Sequence, residues 1–232
     1  MFAPHIIAHA CVTPARAKFA ADSLGALSSF CEIHTTPAKP GDFGPILKWT
    51  VPLPVRKHHE LVLVLDDDHH YDPESIRRAA SALECAHVRG RQSMIQCYGR
   101  TLNIHHLPMD KGGPYIVHTL VWDVVPTDMV EAFAGVLVPV AVFERLSVAL
   151  RELLPTLGPE ERLADDYIVS RTAARLGITR WVAPVAPPKR LEAAALDPVS
   201  QRGDGLAARY KRLILRDRQH GDAWWPLRSP AW

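Results

Sequence analysis

Five apolar residues in a row, followed at once by three carboxylates, set the framework for this sequence. Leu61–Leu65 contains only leucine and valine, and Asp66, Asp67 and Asp68 come directly after it. An apolar run without alternation predicts a strand that is buried on both faces, as in a parallel sheet covered by helices on each side. Because ligands bind beyond the carboxyl ends of such strands, we expect the three aspartates at a binding site.

The aspartates themselves indicate a bound cation. Adjacent ionised carboxylates repel one another unless a positive charge neutralises them. In an extended strand Asp66 and Asp68 point to one face and Asp67 points to the other, so Asp66 and Asp68 are expected to share a divalent ion. Carboxylate ligands favour Mg²⁺ or Mn²⁺, which also hold the phosphates of nucleotides. The alternative is a charged loop that only caps the strand.

Composition describes an ordinary globular domain and excludes several classes of partner. Of the 232 residues, 47% are hydrophobic and 22% are charged, and the net charge is +2. So small a net charge favours neither a nucleic acid nor an anionic membrane as the main partner. The apolar runs are shorter than the roughly 20 residues that cross a bilayer, and the N-terminus lacks the apolar core of a signal peptide. We therefore expect a cytoplasmic protein without a transmembrane segment.

Alternating strand and helix patterns along the chain predict an α/β fold. A strand is predicted over residues 5–12, and Asp72 with Pro73 has the chemistry of an N-cap and a first helical position. A basic amphipathic helix is predicted over residues 206–215. We expect one domain, residues 1–185, and a C-terminal tail, residues 186–232, whose helix packs on that domain.

Further charged residues are candidates for the same site. Arg16 follows the first strand and would lie at the same sheet edge as the aspartates, where it could meet a base or a phosphate; an ordinary surface arginine is the alternative. Asp165 and Asp166 open a helical stretch, where the helix dipole favours negative charge, so a structural role competes with a catalytic one. Pairs of adjacent histidines do not predict a zinc site, because neighbouring side chains alternate in direction. These pairs are His58-His59, His69-His70 and His105-His106.

Five motifs occur in an order that is similar to a known family. They are Thr13-Pro14-Ala15-Arg16 after the first strand, Asp42-Phe43-Gly44-Pro45 with Lys48, Asp66-Asp67-Asp68 with Tyr71-Asp72-Pro73, Gly135-Val136-Leu137-Val138-Pro139, and Ala164-Asp165-Asp166-Tyr167. Together they resemble the motifs of the GT-A glycosyltransferases, the nucleotide-diphospho-sugar transferases with a Rossmann-like sheet. The resemblance covers most of the chain. It implies a mostly parallel central sheet flanked by helices.

The resemblance also implies a reaction and a set of residues. A sugar would pass from a nucleoside-diphosphate sugar, such as a UDP- or GDP-sugar, to a hydroxyl of a glycan or other acceptor, with inversion. Asp68, Asp66 and His220 would be ligands of Mn²⁺ or Mg²⁺, and Asp166 or Asp165 would be the base. The implied nucleotide contacts are Thr13, Arg16, Asp42, Lys48, Asp66 and Asp67.

Two other functions remain open from the sequence. A sugar nucleotidyltransferase would use a similar sheet and metal to build the nucleotide sugar. Those enzymes usually carry a glycine-rich loop after the first strand, and Thr13-Pro14-Ala15-Arg16 contains no glycine. A non-catalytic module that binds nucleotide sugar or glycan would keep Asp68 without needing Asp166.

Overall fold

The structure, a computed structural model, describes residues 5–12, 14–37, 44–84, 92–102, 115–191 and 206–222. Strands and helices are interspersed along these ranges. The strands are β1 (Ile6–Val12), β2 (Cys31–Pro37), β3 (Leu61–Leu65), β4 (His69–His70), β5 (Ser93–Gln96), β6 (Gly99–Leu102), β7 (Tyr115–His118), β8 (Val125–Pro126), β9 (Met129–Val130), β10 (Val136–Pro139), β11 (Thr179–Val182) and β12 (Lys189–Arg190). The α-helices are α1 (Ala17–Gly25), α2 (Pro73–Leu83), α3 (Val140–Leu153), α4 (Pro159–Arg162), α5 (Asp165–Arg175) and α6 (Leu206–Gln219), and 3-10 helices occupy Pro14–Arg16, Ala26–Ser29, Gly44–Trp49, Ala132–Ala134 and Leu154–Thr156.

A seven-stranded sheet forms the centre of the described part of the chain, in the order β2-β1-β3-β10-β5-β11-β8. β1 is parallel to both β2 and β3, and β11 is parallel to β5. β10 is antiparallel to its two neighbours, β3 and β5, and β8 is antiparallel to β11. Five strands therefore point one way and two the other, which confirms the predicted α/β class with a mostly parallel sheet.

Both faces of the central strand β3 are buried, as its composition predicts. Val62 and Val64 belong to one core with α3, α5 and α6. Leu61, Leu63 and Leu65 belong to a second core with α1 and α2 on the opposite face. Fully buried apolar side chains of this size each stabilise the fold by about 1.5–3 kcal/mol, so the position of β3 is strongly determined.

The helix after the aspartates begins where its sequence predicts. Asp72 has extended backbone angles, and its carboxylate accepts hydrogen bonds from the backbone N–H groups of Glu74 and Ser75. Pro73 occupies the first position, where no backbone donor is needed. This cap fixes the direction in which the chain leaves the aspartates.

The antiparallel direction of β10 is a feature that the sequence pattern does not predict. Gly135, which precedes β10, has a φ of 73°, and a β-carbon there would approach the side chains of Ile76 and Leu65. The backbone angle therefore favours glycine, and any larger residue would also require the Ile76 side chain to shift slightly. The turn at Gly135 brings Ala132–Ala134 over the end of β3.

The predicted tail helix is present as α6 and is longer than expected, ending at Gln219. It runs beside α5 in the same direction. Tyr210 contacts the start of α5, Asp217 pairs with Arg171 in its middle, and Asp222 pairs with Arg175 at its end. Among the described helices, none combines the length and the apolar composition needed to cross a membrane.

Candidate active site

The three aspartates lie at the carboxyl end of β3 and contact cationic side chains. Arg16 Nη1 is 3.0 Å from Asp67 Oδ1 and 3.6 Å from Asp68 Oδ2. One guanidinium reaches both carboxylates because β3 ends at Leu65 and the chain turns at residues 67 and 68. Strict alternation of side chains, which was expected to separate Asp67 from Asp68, therefore does not hold. Arg16 lies at the predicted edge of the sheet.

The surroundings of Asp67 and Asp68 shift their pKa values in opposite directions. Burial raises the pKa of Asp67, and the neighbouring Arg16 only partly offsets it. Burial also acts to raise the pKa of Asp68, but a 2.7 Å hydrogen bond with His69 and the charges of Arg16 and Arg190 bring it below its ordinary value. Asp68 is thus held as a carboxylate, the form that binds metal ions.

Lys48 joins the two acidic motifs. It lies on the 3-10 helix Gly44–Trp49, whose Ile46 and Trp49 are fully buried in the core. Its Nζ is 2.6 Å from Asp66 Oδ1 and 2.9 Å from Asp165 Oδ2. Burial acts to lower the pKa of Lys48, but Asp165 and Asp66 raise it well above the ordinary value. One ammonium group therefore bridges carboxylates that are far apart in the sequence.

The structure separates the neighbouring residues Asp165 and Asp166. Asp165 faces Lys48. Asp166 points into the interior, where its Oδ1 accepts a hydrogen bond from the backbone N–H of Ala132 at 3.0 Å and its Oδ2 accepts one from the Tyr210 hydroxyl at 3.1 Å. Burial, reinforced by Asp165, raises the pKa of Asp166 well above its ordinary value. Asp165 is therefore the residue of the pair that contacts Lys48 beside Asp66, and the identity of the base stays a prediction.

A buried ion pair that the sequence analysis missed lies near enough to Asp165 and Asp66 for their charges to act on it. Glu131 is 1% exposed and is contacted by the guanidinium of Arg100, with Nη2 3.2 Å from Oε2. The backbone N–H of Glu131 donates to Gln96 Oε1 at 2.7 Å. The signal available in the sequence was a lone carboxylate among the apolar and small residues 129–134. Such a residue has to find a partner when it is buried.

Glu131 gives the protein a specific pH dependence. Burial raises its pKa to about 7 from 4.5, although Arg100 acts to lower it. Between these two values the folded state holds a proton that the unfolded state has released, so the free energy of unfolding falls as the pH rises. We expect Glu131→Gln to remove this contribution, which is at most about 1.4 kcal/mol per pH unit. Urea unfolding of both proteins across this pH range measures it, and equal slopes would contradict the assignment.

Aromatic rings form a row beside the carboxylates. The ring centroids of His69 and Phe133 are 5.2 Å apart, and those of Phe133 and Tyr98 are 5.0 Å apart. All three side chains are half-buried, so part of each ring faces outward. The guanidinium of Arg100 lies 5.7 Å from the Tyr98 ring centroid. The site thus combines charged groups with an apolar aromatic surface.

Residues after the last parallel strand also reach the site, which the sequence analysis did not predict. β12 pairs with β4 in antiparallel register, with Arg190 opposite His69. The backbone N–H of Leu191 donates to the Asp68 carbonyl at 2.9 Å, and Arg190 Nη2 is 3.4 Å from Asp68 Oδ2. The start of the predicted tail therefore contributes a cation next to Asp68.

Asp66, Asp68 and His69 could together hold a metal ion. Each offers one ligand atom, and these atoms lie within 4.8 Å of one another. His69 was not expected here, because its pair with His70 had been set aside as a metal site. The turn after β3 and its hydrogen bond to Asp68 bring the imidazole to the carboxylates. Two carboxylates and one imidazole suit a divalent ion such as Mn²⁺.

His220, which the resemblance implies as a metal ligand, lies outside the group of Asp66, Asp68 and His69. It is exposed just beyond the end of α6, two residues before Asp222, which pairs with Arg175 at the far end of α5. Asp165 begins α5, and a helix of that length spans about 15 Å. His220 is therefore separated from the carboxylates by roughly the length of α5.

Glu32, His58 and His59 form another group with ligand atoms close together. His59 Nδ1 accepts a hydrogen bond from the backbone N–H of Arg56 at 3.0 Å. This contact leaves the proton of a neutral ring on Nε2, which is 3.2 Å from Glu32 Oε2. An ordinary hydrogen bond accounts for the pair. Of the remaining predicted contacts, Thr13 and Asp42 lie outside the described residues.

Comparison with known proteins assigns no family. No protein-family model matches the chain, and no curated protein matches it. Among solved structures, it is similar to 4-diphosphocytidyl-2C-methyl-D-erythritol synthase from Anaerococcus prevotii DSM 20548, with 12% sequence identity and a TM-score of 0.48. The match covers 87% of this chain and 100% of the other. A likeness at this level identifies neither a family nor an activity.

Proposed function

We propose that this chain is a metal-dependent glycosyltransferase that moves a sugar from a nucleoside-diphosphate sugar to an acceptor hydroxyl. The observation that carries the proposal is the position of Asp165 opposite Asp66, with Lys48 between them. In this arrangement Asp66 lies on the side of the metal ion and the sugar donor, and Asp165 can take a proton from the acceptor hydroxyl. The GT-A resemblance of the motifs supports the same reaction.

Asp66, Asp68 and His69 are the residues that would hold the divalent ion. Their donor atoms, two carboxylate oxygens and an imidazole nitrogen, fit Mn²⁺ or Mg²⁺ and lie within 4.8 Å of one another. When bound, the ion supplies positive charge that stabilises the departing diphosphate. Arg16 and Lys48 lie beside these carboxylates and can bind and orient the phosphates.

Asp165 is the proposed base. The acceptor oxygen forms a bond to the anomeric carbon while the bond from that carbon to the diphosphate breaks, and the hydroxyl proton passes to Asp165. The nucleoside diphosphate leaves with the electron pair of the broken bond. Attack from the side opposite the leaving group inverts the configuration of the sugar. General bases placed in this way typically accelerate a reaction by about 10²- to 10⁴-fold.

The aromatic row supports a carbohydrate as the acceptor. A sugar ring has an apolar face of C–H groups and a rim of hydroxyls, so it can lie on Tyr98 and Phe133 while its hydroxyls reach charged groups. Glu131 and Arg100 lie next to these rings. His69, the third ring of the row, contacts Asp68, so the aromatic surface begins beside the proposed metal ligands.

Nucleotidyl transfer is the second candidate, because several cations surround the aspartates. Arg16, Lys48 and Arg190 could orient a sugar phosphate that attacks the α-phosphate of a nucleoside triphosphate. The phosphate oxygen forms the new bond to phosphorus, pyrophosphate leaves, and no base is needed. Asp165 would then be dispensable as a proton acceptor, whereas glycosyl transfer requires it.

A two-stage experiment tests the proposal. Thermal unfolding of the full chain is first measured with UDP-, GDP- and dTDP-sugars and with nucleoside triphosphates, each with and without Mn²⁺. A ligand at 100 times its dissociation constant should stabilise the folded state by about 2.7 kcal/mol. Release of nucleoside diphosphate from a stabilising nucleotide sugar with glycoside acceptors is then measured, beside release of pyrophosphate from triphosphate and sugar 1-phosphate.

The two products separate the candidates. Metal-dependent release of nucleoside diphosphate with formation of a glycoside is the expected result. Pyrophosphate release with formation of a nucleotide sugar would replace glycosyl transfer by nucleotidyl transfer. A binding module would be indicated by metal-dependent stabilisation with no product from either reaction.

A further inference from the structure

Two arginines in this site contact the carboxylates at which a metal would bind. Asp68 Oδ2 is 3.4 Å from Arg190 Nη2 and 3.6 Å from Arg16 Nη1. Asp66 is in turn paired with Lys48. Each expected carboxylate ligand of the metal therefore already has a cationic partner from the protein. A divalent ion that enters must displace these partners or come close to like charges.

The arginines differ from Lys48 in their exposure to solvent. The side chain of Lys48 is 6% exposed and is held between two carboxylates. The side chains of Arg16 and Arg190 are 25% and 38% exposed, so a ligand that enters from solvent can reach their guanidinium groups. The backbone at residues 189–191 is fixed by the β4–β12 pairing and by the Leu191 hydrogen bond to Asp68.

We infer that Arg16 and Arg190 are exchangeable counter-ions, which hold Asp67 and Asp68 before a metal binds and transfer to the diphosphate when metal and nucleotide enter together. The inference rests on the proposed function for the identity of the diphosphate. Guanidinium groups bind phosphate oxygens as well as carboxylates, so phosphate oxygens can replace the Asp67 and Asp68 contacts of the two arginines. A metal ion that binds alone is repelled by these cationic side chains. A diphosphate that binds with it adds negative charge, which offsets this repulsion.

Cooperative binding follows from this exchange. A metal ion that binds alone competes with Arg16 and Arg190 for the aspartate carboxylates. A bound diphosphate draws the two arginines away from these carboxylates, so each ligand should raise the affinity of the other by the same factor. A structural role for Arg190, in which it only anchors β12, predicts something different. Loss of an anchor would weaken both metal and nucleotide binding, because it would disturb the backbone beside Asp68 and His69.

The test is a set of calorimetric titrations on the full chain and on Arg190→Gln, Arg16→Gln and the control Arg218→Gln, which alters an exposed arginine of α6. MnCl₂ is titrated first alone and then with UDP or GDP present, with correction for Mn²⁺ bound to free nucleotide. We expect each nucleotide that binds to raise the Mn²⁺ affinity of the wild type by about 5- to 150-fold. Circular dichroism checks that each variant is folded.

The two site variants should change the two affinities in opposite directions. We expect Arg190→Gln and Arg16→Gln to bind Mn²⁺ alone about 5-fold or more tightly than the wild type, and to bind the nucleotide about 5-fold or more weakly in the presence of Mn²⁺. Arg218→Gln should match the wild type. Unchanged or weaker binding of Mn²⁺ alone by both site variants would overturn the exchange.

Failure of the inference is distinguishable from failure of the proposed function. If the wild type forms glycoside but the site variants bind Mn²⁺ alone no more tightly, the exchange is wrong and the transferase stands. If the site variants do bind Mn²⁺ more tightly but the wild type forms no product from any nucleotide sugar, the competition is supported and the transferase is not.

Discussion

Replacing Asp165 with asparagine is expected to lower kcat for glycosyl transfer by about 10²- to 10⁴-fold, the range that a positioned general base contributes. Asparagine has nearly the same shape and can still accept a hydrogen bond from Lys48 through its amide oxygen, so the fold and the donor site should persist. The affinity for the nucleotide sugar, measured by calorimetry with Mn²⁺, should therefore change little. Initial rates with saturating donor and acceptor give kcat.

Asp166→Asn is the matched control for this substitution. Burial raises the pKa of Asp166 well above its ordinary value, and both carboxyl oxygens already have hydrogen-bond partners in the protein interior, so asparagine should be tolerated at this position. Its amide oxygen can accept the hydrogen bond from the Ala132 N–H, and its amide group can remain paired with the Tyr210 hydroxyl. We expect kcat to stay within about tenfold of the wild type, far less than a base contributes. An inactive Asp166→Asn beside an active Asp165→Asn would reverse the assignment.

The second large effect is expected on stability, from Asp217→Ala. The Asp217 carboxylate lies 3.2 Å from Arg171 Nη1 and accepts a 2.7 Å hydrogen bond from the Tyr167 hydroxyl, and the Asp217 and Arg171 side chains are 3% and 6% exposed. Removal of Asp217 takes away one acidic partner of the buried Arg171, leaving Glu161 at 3.4 Å from its Nη2, and removes an acceptor of the Tyr167 hydroxyl. The free energy of unfolding should fall by about 3 kcal/mol, the lower end of the range for a broken buried pair, as measured by urea denaturation.

Asp222→Ala gives the control, because Asp222 also pairs with an arginine of α5. The Asp222 side chain is 51% exposed and that of Arg175 is 45% exposed, so water replaces much of what the substitution removes. Exposed ion pairs contribute about 0–1 kcal/mol, and the unfolding free energy should fall by no more than this. Equal losses in the two variants would show that burial of the Asp217 pair is not what stabilises the packing of α6.

Local patterns predicted the elements that depend on local chemistry. The apolar run of β3 is buried on both faces, and Asp72 caps α2. Asp66 and Lys48 were both identified as candidates, and the structure places them 2.6 Å apart. The predictions of β3 and of the α2 cap share a cause, since a doubly buried strand and an N-cap leave signatures in consecutive residues.

The features that local patterns did not predict depend on contacts between residues that are far apart in the sequence. Arg190 is 122 residues from Asp68, and only the pairing of β12 with β4 brings them together. The choice between Asp165 and Asp166 depends on the rotation of α5, which is held by Tyr210 of α6. Neither the strand pairing nor the helix rotation can be inferred from the residues beside the aspartates.

The hydroxyl of Tyr210 connects α6 to the interior of the protein through the buried carboxyl group of Asp166. Asp166 accepts hydrogen bonds from Tyr210 on one oxygen and from the Ala132 N–H, beside Phe133, on the other. An expression fragment that stops ahead of α6 would expose the α5 face that α6 covers and leave this acid half-satisfied. Anyone designing a minimal catalytic fragment should therefore keep residues 206–222, although they lie downstream of every motif that resembles a transferase.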